Sequence, residues 1–164
     1  MPYSTPEQLC FPPVAGHTVR ADFEGGVLSS DFGALLLRGI DQQIGLTQRL
    51  AGAIRDKRHP SYLDHPLRDL IAQRVYQIAS GYADGNDANT LRHDPLFKLS
   101  VDRLPLDDEH NLASAPTFSR LEHHADRKDT YRVARAFVNH FLAGYAEPPE
   151  AIVLFMQRLP LLLF

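Results

Sequence analysis

Apolar residues recur at helical spacing in several separate stretches of this chain, which predicts a mainly α-helical protein. The two strongest stretches run from Pro66 to Ser80 and from Thr130 to Tyr145. Weaker stretches predict shorter helices at residues 31–45, 47–54, 86–91, 95–101 and 114–123. Since the two long stretches carry the widest apolar faces, we expect these faces to form the core.

Near the N-terminus the pattern changes from helical spacing to alternation. Residues 18–23 alternate in polarity, and Gly25-Gly26 separates them from a second short β-prone run. A Gly-Gly pair between two such runs is a hairpin signal, so a small β-hairpin is expected near residues 18–29. Residues 1–17 contain four prolines and no helical period, which predicts a loose N-terminal arm. The helical domain is then expected to span residues 18–147.

A different pattern begins at residue 148. Pro148-Pro149 reads as a linker, residues 151–155 are typical of a buried β-strand, and an apolar tail continues to Phe164. A buried strand needs partners for its backbone N–H and C=O groups, and no further core strand is expected after this one. The sequence therefore predicts an orphaned strand at 151–155, as in the front part of a longer protein. Arg158 and Pro160 argue against a membrane-spanning helix in the tail.

Composition and charge narrow the class of protein only modestly. The net charge is −3 and 44% of the residues are hydrophobic, which is ordinary for a globular protein. Cys10 is the only cysteine, so no intrachain disulfide can form, and we expect a cytoplasmic location. Basic residues outnumber acidic ones in the stretches 49–74 and 119–140. Such stretches fit either contact with nucleic acid or solvated helix faces.

Candidate metal and catalytic motifs are weak in this sequence. Residues 84–89 resemble the start of a calcium loop, but Ala88 and Pro95 stand where that loop needs an oxygen ligand. No Cys/His pair has zinc-ligand spacing, and no phosphate loop or nucleophile elbow is present. The residues alone therefore predict no metal site and no catalytic group.

The remaining candidate is the segment from Ser114 to Arg135, which joins a short capped helix to the second long helix. Short polar side chains and arginines near helix starts can contact phosphates or base edges. An equally simple interpretation is a pair of packed amphipathic helices with solvated polar faces. The candidate DNA-binding residues are Thr117, Ser119, Arg120, Arg127, Lys128 and Arg132.

Several motifs in this chain resemble, in colinear order, the opening of group-1 DDE transposases of bacterial insertion sequences. The resemblance covers residues 23 to 154. Its motifs are Phe23–Asp31, Leu35–Arg38, Gly45–Thr47, Gln73–Tyr82, Asn86-Asp87, Leu91–Pro95 and Pro116–Glu122.

This resemblance implies an activity and a cofactor for the family. Its members cut and join DNA with an RNase-H-like core, in which two aspartates and a glutamate hold two Mg²⁺ ions. The first aspartates follow the first core strand, in a run of the type Ile-Val-Leu-Asp-x-Asp. This chain has Phe155-Met156-Gln157 after Ile152-Val153-Leu154. The resemblance therefore implies the first strand of such a core, but no catalytic residue and no Mg²⁺ site in this chain.

The function expected from the resemblance is that of the N-terminal part of a DDE transposase, which binds the DNA ends or helps assembly during DNA transposition. The expected partners are the terminal repeats of its element, further copies of the chain, or intact transposase. Two alternatives stay open. The chain could be a non-functional decay product, or a regulatory fragment that inhibits intact transposase through mixed oligomers.

Overall fold

A computed structural model describes residues 9–21, 31–59, 63–105, 107, 109–147 and 151 of the chain. Within these ranges two strands precede a series of helices, so the expected mainly helical fold with a small β-hairpin is confirmed. The strands are β1 (Leu9–Val14) and β2 (His17–Ala21). The helices are α1 (Gly33–Ile44), α2 (Leu46–Ala53), α3 (Leu67–Ala79), α4 (Ala88–Leu91), α5 (Pro95–Ser100), α6 (Ala115–His124) and α7 (Arg127–Ala143), with a 3₁₀ turn at Gly85–Asp87.

The hairpin lies earlier in the chain than its predicted position at 18–29. β1 and β2 are antiparallel, and the turn between them is Ala15-Gly16, where both residues have positive φ. The expectation of a loose arm is therefore wrong from residue 9 onward. The prolines that suggested an arm are tolerated because the register is irregular between Phe11 and Val14, and because both strands of a two-stranded sheet are edges. The predicted turn at Gly25-Gly26 lies outside the described residues.

The predicted strand at 151–155 and the tail that follows it also lie outside the described residues, apart from Ala151. Of the helices that the structure does describe, none is long and apolar enough to cross a membrane.

The core is built around α3. Two clusters of buried side chains pack against this helix, and Leu70 and Tyr76 are its largest apolar contributions. The loop between α5 and α6 contributes Leu112 and Ala113 to these clusters. The buried Gln73 side chain explains how this loop end is held. Its amide donates to the carbonyl oxygen of Ala113 at 2.9 Å and accepts from the Ala113 N–H at 3.0 Å.

A buried carboxylate joins the first three helices. Gly45 ends α1 in the left-handed conformation, with φ of 67°, and α2 begins at the next residue. The Asp41 carboxylate accepts hydrogen bonds from the Thr47 N–H at 2.8 Å, the Thr47 hydroxyl at 2.5 Å and the Tyr76 hydroxyl at 3.0 Å. Burial, with Asp41 beside the hydroxyl, raises the pKa of Tyr76 well above its usual range. Asp41 thus caps the N-terminus of α2 and fixes the position of α3.

The apolar face of α7 is not part of the described core, contrary to our expectation. Phe137 is 48% exposed and Val138 is 56% exposed, and the other large apolar side chains of this face are also open to solvent. Ile78, an apolar residue near the end of α3, is 40% exposed. The sequence pattern correctly identifies which face of α7 is apolar. It does not show that a different face, which carries Asp129 and Arg132, contacts α2.

The burial pattern leads to a test with two leucines. Leu70 is 1% exposed and Leu36 is 50% exposed. Leu70→Ala should lower the free energy of unfolding by about 2–5 kcal/mol, because it leaves a cavity in a packed core. Leu36→Ala should cost less than about 1 kcal/mol, because its side chain is already half in water. Urea unfolding followed by circular dichroism measures both, and equal losses would contradict this assignment of the core.

Candidate nucleic-acid interface

The segment singled out in the sequence forms two consecutive helices, α6 and α7, joined by Ala125-Asp126. α7 starts three residues earlier than predicted, because Asp126 caps it. The Asp126 carboxylate accepts the Asp129 N–H at 2.9 Å, and the Asp129 carboxylate accepts the Asp126 N–H at 3.0 Å. This reciprocal arrangement satisfies free donors of the first helical turn.

Asp129 also attaches α7 to the end of α2. Its side chain is buried and accepts the Arg55 N–H at 3.2 Å, while the ammonium group of Lys57 lies 3.5 Å away. The guanidinium of Arg132 contacts the same carboxylate, and its Nε donates to the carbonyl oxygen of Ala53 at 2.8 Å. We call these contacts the Asp129 anchor.

The surroundings of Asp129 favour its charged form. The N–H groups of Asp126 and Arg55 hold the pKa of the Asp129 carboxyl well below its usual range, and the charges of Arg132 and Lys57 act in the same direction. Lys57 also donates to Asp126 at 3.0 Å and to the carbonyl oxygen of His124 at 3.2 Å, so it contacts both sides of the α6–α7 junction.

The Asp129 anchor brings residues 57–59 and 63–65, from the connection between α2 and α3, beside one face of α6. A groove of about 460 Å³ lies between them, and we call it the basic groove. Its lining residues are Lys57, Arg58, His59, Asp64, His65, Thr117, Arg120, Leu121 and His124.

The three cations of the basic groove differ in how they are paired. Lys57 is held by Asp126, as described above. Arg58 makes two hydrogen bonds to Asp56, from Nε at 2.8 Å and from Nη2 at 2.7 Å. Arg120 has no carboxylate within ion-pair distance among the residues described, and its guanidinium reaches only the Thr117 hydroxyl, at 3.4 Å. Arg120 is therefore the groove cation whose charge is not already neutralised.

Two histidines of the groove have defined hydrogen bonds. Nδ1 of His124 donates to the carbonyl oxygen of Arg120 at 2.6 Å, which leaves its Nε2 for a second partner. Nδ1 of His65 lies 3.0 Å from Nη2 of Arg103 and accepts from it, because a guanidinium can only donate. Burial and the Arg103 charge lower the pKa of His65, so its ring is neutral at physiological pH.

The six residues predicted to contact DNA fall into three groups. Thr117 and Arg120 line the basic groove. Arg127 and Lys128 are exposed in the first turn of α7, and Ser119 is exposed outside the groove lining, with its hydroxyl 3.4 Å from the ring of His123. The guanidinium of Arg132 is engaged in the Asp129 anchor.

The sequence interpretation missed the opposite wall of the basic groove. Lys57, Arg58 and His59 come from the connection after α2, more than fifty residues before α6. The excess of basic residues between 49 and 74 was a signal for this wall. No pattern in the sequence indicates that this wall faces Arg120, because their arrangement depends on the Asp129 anchor.

Comparison with known families gives a match over most of the chain. The family model described as the transposase DDE domain, group 1, matches residues 11–158. The chain belongs to this family of DDE transposases. Its members act in DNA transposition and generally depend on metal ions. No curated protein and no solved structure matches the chain.

Within the described ranges, the residues of this transposase-family chain do not form a two-metal site. No three His, Cys, Asp or Glu side chains in the described ranges are grouped so that they could hold a metal ion. Asp126 and Asp129 cap a helix and form ion pairs, while Phe155 and Gln157 stand where the resemblance leads us to expect aspartates. A phenylalanine side chain offers no oxygen ligand for Mg²⁺, and a glutamine amide lacks the negative charge of a carboxylate.

The Asp129 anchor predicts a pH-dependent stability for this transposase-family chain. The pKa of Asp129 is lower in the folded than in the unfolded state, so its stabilisation is complete above about pH 4 and is lost as the pH falls through the folded-state pKa. Asp129→Asn should therefore lower the free energy of unfolding by about 1–3 kcal/mol at neutral pH. The difference from the unaltered chain should shrink on acidification.

Urea unfolding at several pH values measures this effect. Asp64→Asn is the matched control, because Asp64 is an exposed carboxylate that does not cap a helix. A destabilisation by Asp129→Asn that stays constant from neutral to acidic pH would contradict the role given to the Asp129 charge.

Proposed function

We propose that this chain binds the DNA ends of its element through the basic groove, where Arg120 contacts a backbone phosphate. The observation that carries the proposal is the arrangement around Arg120. Its guanidinium is exposed, has no described carboxylate partner, and lies in a groove whose other wall carries Lys57 and Arg58.

The chemistry of the groove suits a phosphate. An arginine fork can donate two parallel hydrogen bonds to phosphate oxygens, and such bonds are shorter and stronger than those between neutral groups. The Thr117 hydroxyl and Nε2 of His124 add polar groups on the same face of α6. Lys57 and Arg58 are paired with Asp126 and Asp56, so they attract a phosphate more weakly than Arg120 does. Their positive charges still offset the carboxylates on the opposite wall, which would otherwise repel an anion.

Arg127 and Lys128 extend this surface along the DNA backbone. Both side chains are exposed, and they follow the groove directly in the chain, just after the α6–α7 junction. Their contacts would be sequence-independent, because phosphates carry no base information. We assign Arg132 to positioning, because the Asp129 anchor uses its guanidinium, and we place Ser119 at the margin of the interface.

The proposal separates DNA binding from DNA cleavage. Because Phe155 and Gln157 occupy the positions where the family resemblance places metal-binding aspartates, we propose that this chain does not itself cut or join strands. Its contribution to transposition is then to recognise the DNA ends or to help assemble the complex on them.

The direct test is a binding titration with Arg120→Ala. We expect the variant to bind a duplex carrying the terminal repeat of its own element about tenfold more weakly, since a charged hydrogen-bonded contact is lost. The slope of log affinity against log salt should become shallower by roughly one unit, because one fewer counterion is released.

Arg49→Ala is the matched control, because it removes an equal charge from an exposed site on α2 that does not line the groove. It should leave the affinity and the salt slope near those of the unaltered chain. A scrambled duplex in the same titration shows whether the terminal repeat is preferred. Equal losses from both substitutions would contradict a groove-centred contact, and negligible binding to either duplex would contradict the proposed function.

A further inference from the structure

A continuous apolar stripe runs along the solvent side of α7. It consists of large side chains that are between 40% and 66% exposed. Its members are Tyr131, Phe137, Val138, Phe141, Leu142 and Tyr145. We call it the α7 stripe. Near its C-terminal end, the rings of Phe141 and Tyr145 pack edge to face, with centroids 5.1 Å apart.

The α7 stripe is too large and too regular to be scattered surface hydrophobicity. Val138, Phe141 and Leu142 recur at spacings of three and four residues, so they share one side of the helix, and Tyr145 continues this side just past the end of α7. From Tyr131 to Leu142 the helical part of the stripe is about 16 Å long, at a rise of 1.5 Å per residue. Contiguous exposed patches of this kind mark interaction sites in soluble proteins.

We propose that residues 152–164 of the same chain cover the α7 stripe. In this segment only Gln157 and Arg158 are polar or charged. The segment follows α7 closely in sequence. Burying its apolar side chains against those of the stripe is favourable, because both are then removed from water.

The connection is long enough for this docking. α7 ends at Ala143, so residues 144–151 form an eight-residue link to the apolar segment. Such a link can span about 26 Å when extended, which exceeds the length of the stripe. Tethering over so short a link gives a high effective concentration, on the order of millimolar, and this favours docking within one chain.

The charges beside the α7 stripe argue against a second copy of the helix as its occupant. Lys128 and Arg135 are exposed along one edge of the stripe. Asp129, the only acidic residue of α7, is buried in the anchor. An antiparallel pair of α7 helices would place the same edges opposite each other, and like charges there are destabilising. The segment 152–164 carries a single charge, that of Arg158, and avoids this repulsion.

Hydrogen exchange of the full chain, followed by mass spectrometry, tests the proposal. Amides of residues 152–164 should exchange at least about tenfold more slowly in the unaltered chain than in Val138→Asp and Phe141→Asp, because a carboxylate on the stripe disfavours docking. Ile40→Asp is the matched control. Ile40 is 53% exposed on α1, so this change adds the same charge at an apolar site away from the stripe, and it should leave exchange in 152–164 unchanged.

Three results would overturn the proposal. The first is rapid exchange of residues 152–164 in the unaltered chain. The second is protection that falls on dilution, since this would identify a second copy as the occupant. The third is loss of protection in α3 in Val138→Asp, since this would place the stripe in the core of the helical domain. Concentration-independent protection that only the two stripe variants remove supports the proposal.

Discussion

The buried carboxylate of Asp129 determines how the second half of this protein is arranged. Removing a carboxylate from water is costly unless hydrogen bonds and opposite charges replace its hydration. Here the backbone N–H groups of Arg55 and Asp126 donate hydrogen bonds to it, and Lys57 and Arg132 supply opposite charges. Of these four partners, only Arg132 lies within the body of α7. The need to keep this charge satisfied fixes α7 against the end of α2.

Two features that bear on function follow from that attachment. Because the Asp129 side of α7 faces α2, the apolar side of α7 faces away from the described core. Because Lys57 contacts Asp126, Asp129 and the carbonyl oxygen of His124, the connection after α2 is held close to α6. The basic groove and the α7 stripe therefore have one structural origin, although they present opposite chemistry. The groove suits an anionic partner, and the stripe suits an apolar one.

The sequence was sufficient for those parts of the fold that depend on local interactions. Helical spacing located the helices, Gly45 marked the end of α1, and proline positions marked the starts of α3 and α5. The hairpin was misplaced, because a Gly-Gly pair is a stronger turn signal than Ala15-Gly16, although the latter adopts the required positive φ. The face of α7 that packs was also misjudged. A hydrophobic pattern describes one helix, whereas packing depends on which partner satisfies Asp129.

The candidate site was predicted in the same partial way. Thr117 and Arg120 were identified because they lie near the start of one helix and within one sequence motif. Lys57 and Arg58 lie in a basic stretch of the sequence, but they become neighbours of Arg120 only in the folded chain, so no local pattern could show that they share a groove with it. For Arg132 the sequence was misleading. Its charge suggested a contact with DNA at the surface, but its guanidinium binds the Asp129 carboxylate in the anchor.

The central claim is that the connection after α2 and one face of α6 form a single phosphate-binding groove. Nuclear magnetic resonance of the isotope-labelled chain tests this claim most directly. On titration with a short DNA duplex, we expect the backbone signals of residues 57–59 and 117–124 and the side-chain Nε signal of Arg120 to shift together, with one affinity. In Asp129→Asn the two sets of shifts should weaken together, because the anchor holds the walls in place. Shifts confined to one wall, or centred on another surface of the protein, would contradict the account.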